Sequence, residues 1–129
     1  MVTLYVNTRP GRSTISKEVK DDGGSPNAKF VEEVKVPGLS LKEICERNFL
    51  RKVNFLTIDV EGVGVQVLEG NDWNNPLCVP EFIIAEDNRL NKLVDATDVQ
   101  TLLEKHGYVH LTRVRTNAVF VLKEMKDYF

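Results

Sequence analysis

The chain has few cysteines and no long apolar run. Its 129 residues include two cysteines, Cys45 and Cys78, and each stands among apolar neighbours without the spacing of a metal-binding motif. Two buried thiols without a disulfide framework are typical of a reducing compartment. The first residues lack the apolar core of a signal peptide, and no apolar segment approaches the roughly 20 residues that a membrane-spanning helix needs. These absences predict a cytoplasmic protein without a membrane partner.

An excess of charge of one sign is also missing. The 17 lysines and arginines nearly balance the 19 aspartates and glutamates, which leaves a net charge of −2. So small a total gives no electrostatic support to a nucleic-acid partner. With 42% hydrophobic and 28% charged residues, the composition is that of an ordinary globular protein. The length predicts one domain over residues 1–129.

Hydrophobic patterning predicts strands that alternate with helices. The predicted strands cover residues 2–6, 13–16, 31–36, 53–58, 81–85, 108–114 and 118–122. The predicted helices cover residues 40–48, with capping-box spacing at the start, residues 63–69, and a segment that Thr97 or Asp98 caps and Gly107 ends. The polar residues 17–29 are predicted to form a loop or mobile lid.

This alternation favours parallel βαβ units. Residues 53–58 have apolar side chains on both faces, which is typical of a central parallel strand. The last two strands are joined by a tight turn and must be antiparallel. The predicted fold is therefore α/β, with a mostly parallel sheet that ends in an antiparallel hairpin.

Two successive strands end in polar clusters. Asp59 and Glu61 follow one strand in "NFLTIDVEGVG", and Glu86, Asp87 and Asn88 follow the next. Ligands of open α/β sheets bind outside the carboxyl ends of the strands, and adjacent strands lie about 5 Å apart. The two clusters therefore form one site if the strands are neighbours. The local alternatives are a helix cap with a first-turn acid for Asp59 and Glu61, and a simple polar turn for 86–88.

Two glycines follow the first acid cluster. Gly62 either allows a ligand to approach the backbone closely or forms a tight strand-to-helix turn. Gly62 and Gly64 also fit the start of a G-x-G-x-x-G nucleotide loop, but Val67 stands where the third glycine belongs. Asp59 and Glu61 would also repel a pyrophosphate, so the pattern does not favour a nucleotide site.

The stretch "VNFLTIDVEGVGVQVLEG" resembles the signature of FkbM-type methyltransferases. The segments "LSLKEICERN", "PEFIIAEDN" and "HGYVHLTRVRTNAVFVL" are similar to the family's preceding helix, next strand and closing hairpin. The chain departs from the pattern at Thr57, where lysine is usual, and at Gly64, where a second acid is usual. The resemblance implies a Rossmann-like methyltransferase sheet, S-adenosylmethionine as cofactor, and a hydroxyl group of a small molecule or sugar as methyl acceptor.

The resemblance also implies roles for the strand-end residues. Asp59 is the first candidate for the general base, and Glu61 is the second. Asp87 and Asn88 are similar to metal ligands of the magnesium-dependent O-methyltransferases, which take a further aspartate from the preceding strand end. Asp59, Asp87 and Asn88 are therefore the expected ligands of a possible Mg²⁺ ion. No residue is predicted to bind S-adenosylmethionine.

The cofactor-binding half of such a domain is not recognisable in the sequence. Nothing before Val31 resembles a strand followed by a glycine-rich loop, so we expect the C-terminal portion of the domain, without its first two βα units and inactive by itself. The alternative is a non-enzymatic binding or assembly module. In the family's sheet the first strand would flank residues 53–58. We therefore expect an exposed edge there that self-associates or is covered by the chain's own N-terminal segment.

Three further side chains have less specific predictions. His106 at a helix end and His110 in a strand are expected to be structural. Trp73 either lines an acceptor pocket or packs over the edge of the core.

Overall fold

The computed structural model describes residues 1–9, 11–21, 29–48, 51–87 and 98–129. The chain divides into two compact units. The first unit comprises Met1–Leu39 with Val60–Val63, and the second comprises Ser40–Asp59 with Gly64–Phe129. The predicted cap Thr97 and the expected metal ligand Asn88 lie outside the described residues.

An antiparallel strand pair forms most of the first unit. Strand β1 (Val2–Asn7) pairs with β2 (Phe30–Val36), with Val2 opposite Val36. The predicted strand at residues 13–16 is reduced to one bridge between Thr14 and Tyr5. The pair is antiparallel, so this part of the chain does not have the parallel βαβ arrangement that the alternation favours.

A short helix, α1 (Lys17–Asp21), occupies the beginning of the segment predicted to be a loop or lid. The hydroxyl of Ser16 accepts a hydrogen bond of 3.2 Å from the main-chain N–H of Val19, which is the bond of an N-capping serine. The loop prediction was wrong here because the cap outweighs the polar composition. The rest of that segment, residues 22–28, is outside the described part of the chain.

A four-stranded mixed sheet forms the centre of the second unit. Its strands are β3 (Phe55–Ile58), β4 (Phe82–Glu86), β5 (Tyr108–Val114) and β6 (Asn117–Leu122), in the spatial order β3-β4-β6-β5. Strands β3 and β4 are parallel, and β6 is antiparallel to both of its neighbours. The sheet thus has one parallel pair and is not mostly parallel. The hairpin of β5 and β6 is confirmed.

The helices of the second unit are α2 (Leu41–Asn48), α3 (Gly64–Glu69) and α4 (Asp98–Lys105), with 3₁₀ turns at Pro76–Cys78 and Lys123–Tyr128. The predicted capping box is present. The Ser40 N–H donates to Glu43 Oε2 at 2.9 Å, and the Glu43 N–H donates to Ser40 Oγ at 3.2 Å. No helix in the described ranges is long and apolar enough to cross a membrane.

The core of the second unit contains apolar side chains from both the sheet and the helices. The completely buried members include Leu68, Ile83, Leu103, Tyr108 and Phe120. Strand β3 lies at the edge of the sheet, and Phe55 is 52% exposed. The prediction that this strand is central in the sheet is therefore wrong, whereas the expected sheet edge is present. Cys78 is buried as predicted, but Cys45 is only half-buried.

Candidate functional site

The carboxyl ends of two parallel strands define the candidate site. Ile58 at the end of β3 lies opposite Ala85 in β4. Asp59 follows Ile58, and Glu86 and Asp87 follow Ala85, so these acids leave the sheet along the same edge. The adjacency of the two strands, on which the predicted site depends, is thus present in the second unit.

An arginine from the hairpin holds Asp87. The Nη1 group of Arg113 donates to the main-chain oxygen of Asp87, and its Nη2 group donates to Asp87 Oδ2. The Asp87 side chain is 2% exposed. Its main-chain N–H donates to the Thr116 oxygen at 2.7 Å. Asp87 therefore fixes the end of β4 to the turn of the hairpin.

Asp59 is exposed and does not cap a helix. Helix α3 begins at Gly64, so the position before it belongs to Val63, and its first turn contains no acidic residue. The local explanation of both acids as a cap and a first-turn charge is therefore wrong. The Asp59 carboxylate remains accessible at the end of β3, in the same unit as Glu86 and Asp87.

Glu61 belongs to the first unit and has a fixed backbone. Its φ angle is +45°, in the left-handed region that non-glycine residues seldom adopt. The buried hydroxyl of Thr14 donates to the Glu61 carbonyl at 2.8 Å and accepts from the Ser16 N–H at 3.0 Å. Thr14 thus holds Glu61 in this conformation.

Gly62 forms the tight turn that was one of its two predicted roles. Its φ angle is +93°, and a Cβ atom placed on it would lie 2.6 Å from Cγ2 of Val19. Protein atoms therefore occupy the space beside this glycine, and close ligand approach is not supported there. The next glycine, Gly64, starts helix α3, which has only six residues.

A comparison with known families identifies the family of the chain. The model of the methyltransferase FkbM domain matches residues 1–110, which is most of the chain and includes Asp59, Glu61 and Asp87. The chain belongs to the FkbM methyltransferase family. No curated protein and no solved structure gives a significant match.

The described part of this FkbM chain does not fit the expected Mg²⁺ site. It contains no group of three or more His, Cys, Asp or Glu residues that could hold a metal ion. Of the expected ligands, Asp87 already has Arg113 on its carboxylate, and a guanidinium beside Oδ2 opposes the binding of a cation there. Asn88 lies outside the described residues. No metal step is therefore derived for this site.

Packing accounts for the remaining aromatic candidates of the FkbM chain. Trp73 stacks on His106 with a centroid distance of 4.7 Å, and its Nε1–H donates to the Leu68 oxygen at 3.1 Å. Burial lowers the pKa of His106, and the charge of Lys105 acts in the same direction. Of the two predicted roles of Trp73, core packing is the one these contacts support.

The sequence prediction missed Arg113 as a member of the strand-end cluster. Its strand was predicted correctly, but its partner is set by the order of strands, in which β6 lies between β4 and β5. Residue 113 lies opposite Ala118, which in turn lies opposite Ala85. A pairing of the predicted hairpin with β4 would have brought this arginine beside the acids.

Proposed function

We propose that the chain is part of an S-adenosylmethionine-dependent O-methyltransferase of FkbM type, which methylates a hydroxyl group of a small molecule or sugar. The family match supports the reaction class. The observation that carries the proposed site is the accessible Asp59 carboxylate at the end of β3, directly beside the parallel end of β4.

The proposed role of Asp59 is to take the proton of the acceptor hydroxyl. The oxygen becomes a better nucleophile as its proton moves toward a carboxylate within about 2.6–3.2 Å. When bound, S-adenosylmethionine supplies the electrophilic methyl group. Glu61 is the second candidate base. The hydrogen bond from the Thr14 hydroxyl to the Glu61 carbonyl would keep its backbone in place.

The described residues do not indicate where the cofactor binds. Strand β1 pairs antiparallel with β2 and is not the first strand of a βαβ unit, which is where a glycine-rich cofactor loop would follow. We therefore assign none of them to S-adenosylmethionine. The strand-end acids would instead serve the acceptor side of the reaction.

The test compares Asp59→Asn with Asp127→Asn in the full-length gene product. Both changes remove one exposed carboxylate, but Asp127 lies in the C-terminal 3₁₀ turn. Transfer of labelled methyl from S-adenosylmethionine to a panel of sugars and hydroxylated small molecules should fall about 10²- to 10⁴-fold in Asp59→Asn alone. Undiminished methyl transfer by Asp59→Asn would show that Asp59 is not the general base.

A second candidate function is a non-enzymatic binding or assembly module. It is favoured by the lack of a recognisable cofactor loop in the sequence before Val31. Calorimetric titration with S-adenosylmethionine and with its demethylated product separates the two functions. Binding of either compound supports the enzyme, whereas no heat from the full-length protein supports the module and contradicts the methyltransferase proposal.

A further inference from the structure

Strand β3 leaves one row of backbone hydrogen-bonding groups open. Among the described strands it pairs only with β4. The main-chain oxygen of Asn54 accepts from the Phe82 N–H at 3.1 Å and so faces β4. Because consecutive residues of a strand point these groups to opposite sides, those of Phe55 and Thr57 face away from β4. They are positioned to bind another strand.

An exposed aromatic row reaches this edge. The Phe55 ring stacks on Phe82 at 5.5 Å between centroids, and Phe82 lies 5.6 Å from Phe129. Phe55 is 52% exposed and Phe129 is 73% exposed. Apart from its shortness, β3 has no proline, lysine or bulge of the kind that protects an edge strand from association.

The charges that flank β3 differ in sign at its two ends. Arg51 and Lys52 precede the strand, and Asp59 follows it. A second copy laid antiparallel would bring the basic beginning of one strand to the acidic end of the other, whereas a parallel copy would bring like charges together. Lys52 already binds Glu81 at 2.9 Å, so of these two described cations the exposed Arg51 is the one positioned to reach the second copy.

We propose that β3 pairs antiparallel with β3 of a second copy of this chain, about a two-fold axis at Leu56. In this register Phe55 lies opposite Thr57 of the second copy, and each such pair exchanges both of its N–H···O bonds. The two Phe55 rings then become diagonal neighbours, within reach of each other. Arg51 and the second copy's Asp59 are also diagonal neighbours. The aromatic side chains of the two copies then form one continuous row across the dimer.

The contact is small, so the dimer is weak. Four residues form β3, and an interface built on them falls below the roughly 1,000 Å² of a stable complex. We expect a dissociation constant on the order of 100 µM. The association is therefore concentration-dependent, which makes it measurable by dilution.

Sedimentation equilibrium of the full-length gene product, from about 10 µM to about 1 mM, tests the proposal. Phe55→Lys should raise the dissociation constant about tenfold or more, since it removes the central aromatic contact and adds a repelling charge. The matched control is Val114→Lys, which changes a residue that is 62% exposed on the other edge strand of the same sheet. It should leave the dissociation constant unchanged.

A charge swap tests the antiparallel direction. Arg51→Glu and Asp59→Lys should each weaken the dimer about threefold, and the double variant should restore it. Hydrogen exchange of the Phe55 and Thr57 amides should be fast in dilute chain and slow in concentrated chain. A chain that stays monomeric, equal weakening by Val114→Lys, a swap without rescue, or protection of those amides at high dilution would each overturn the proposal. The last result would show that the chain's own segment covers the edge.

Discussion

Arg113 binds Asp87 at two points, through the main-chain oxygen and through the carboxylate. The contact ties the carboxyl end of β4 to the antiparallel hairpin. The Asp87 carboxylate is almost completely buried, while Arg113 keeps about a quarter of its side chain in solvent. Such a pair contributes to stability only while both charges are present, because removal of Arg113 takes a compensating charge away from a buried carboxylate.

Arg113→Ala should lower the free energy of unfolding by about 3 kcal/mol, because it takes the guanidinium away from the buried Asp87 carboxylate. Arg113→Lys should cost about 1 kcal/mol, since lysine keeps the charge but loses the two-pronged donor geometry. Urea unfolding followed by the fluorescence of Trp73, the single tryptophan, measures both. Arg51→Ala, which removes an exposed arginine from the same unit, is the control and should change stability by less than about 0.5 kcal/mol. Equal stability of Arg113→Ala and Arg51→Ala would contradict the pairing.

The same contact predicts the response to magnesium. Asp87 is already neutralised by Arg113, so addition of Mg²⁺ or of a chelator should leave the melting temperature unchanged. A bound ion at a hundred times its dissociation constant would instead add about 2.7 kcal/mol of stability. A rise in melting temperature with Mg²⁺ that Asp87→Asn abolishes would show that the expected metal site exists after all.

Local signals predicted several elements correctly. The capping box of α2, the hairpin of β5 and β6, and the end of β3 at a pair of acids are set by residues close together in the sequence. The acids could therefore be proposed as a site from the sequence, and the parallel pairing of β3 with β4 agrees with the alternation of strands and helices.

Pairings between distant residues were less predictable. The antiparallel partner of β1 is β2, which lies farther along the chain than the strand predicted at residues 13–16. The choice between these two segments depends on tertiary packing. The contact of Arg113 with Asp87 depends on strand order, and the conformation of Glu61 depends on a hydroxyl 47 residues away. No local pattern contains that information.

Substitution at Gly62 should destabilise the first unit. Alanine would be strained at a φ of +93°, and its Cβ would meet Val19 at 2.6 Å, so Gly62→Ala should cost about 2 kcal/mol. Val19→Ala in the same chain should recover the steric part, giving a coupling energy of about 1 kcal/mol. Circular dichroism during thermal unfolding measures the series.

Gly64→Ala is the matched control for that series. A Cβ at Gly64 would lie 3.9 Å from Ile58, an ordinary contact, and its φ is not positive. We expect a change of less than about 0.5 kcal/mol. If Gly62→Ala is as mild as Gly64→Ala, the turn does not need glycine.

The stability of the chain should fall as the solution becomes mildly acidic. Burial lowers the pKa of His106 below its ordinary 6.5, so the unfolded chain binds a proton on this ring more readily than the folded chain. The stabilisation is complete above pH 6.5 and is lost as the pH falls through the folded-state pKa. The lowered pKa values of Glu43 and Glu81 affect stability in a separate range, below about pH 4.5.

His106→Phe isolates this contribution, because it keeps a ring beside Trp73 but does not titrate. Urea unfolding from about pH 7.5 to about pH 5.5 should show a smaller loss of stability for the variant than for the natural chain. Lys105→Gln should reduce the loss partly, since it removes the second cause of the shift. Identical pH profiles for His106→Phe and the natural chain would assign the loss to other groups.

The two cysteines should differ in reactivity. Burial raises the pKa of the Cys78 thiol to about 11, and the neighbouring Cys45 thiol acts in the same direction. Alkylation requires the thiolate, so iodoacetamide near neutral pH should modify the half-buried Cys45 at least about tenfold faster than Cys78. Peptide mass spectrometry at successive times measures the two rates. In concentrated urea the rates should converge, and Cys45→Ser should leave Cys78 slow in the folded chain. Rapid labelling of Cys78 in that variant would show that the second unit opens at the contact of α2 with the Pro76–Cys78 turn.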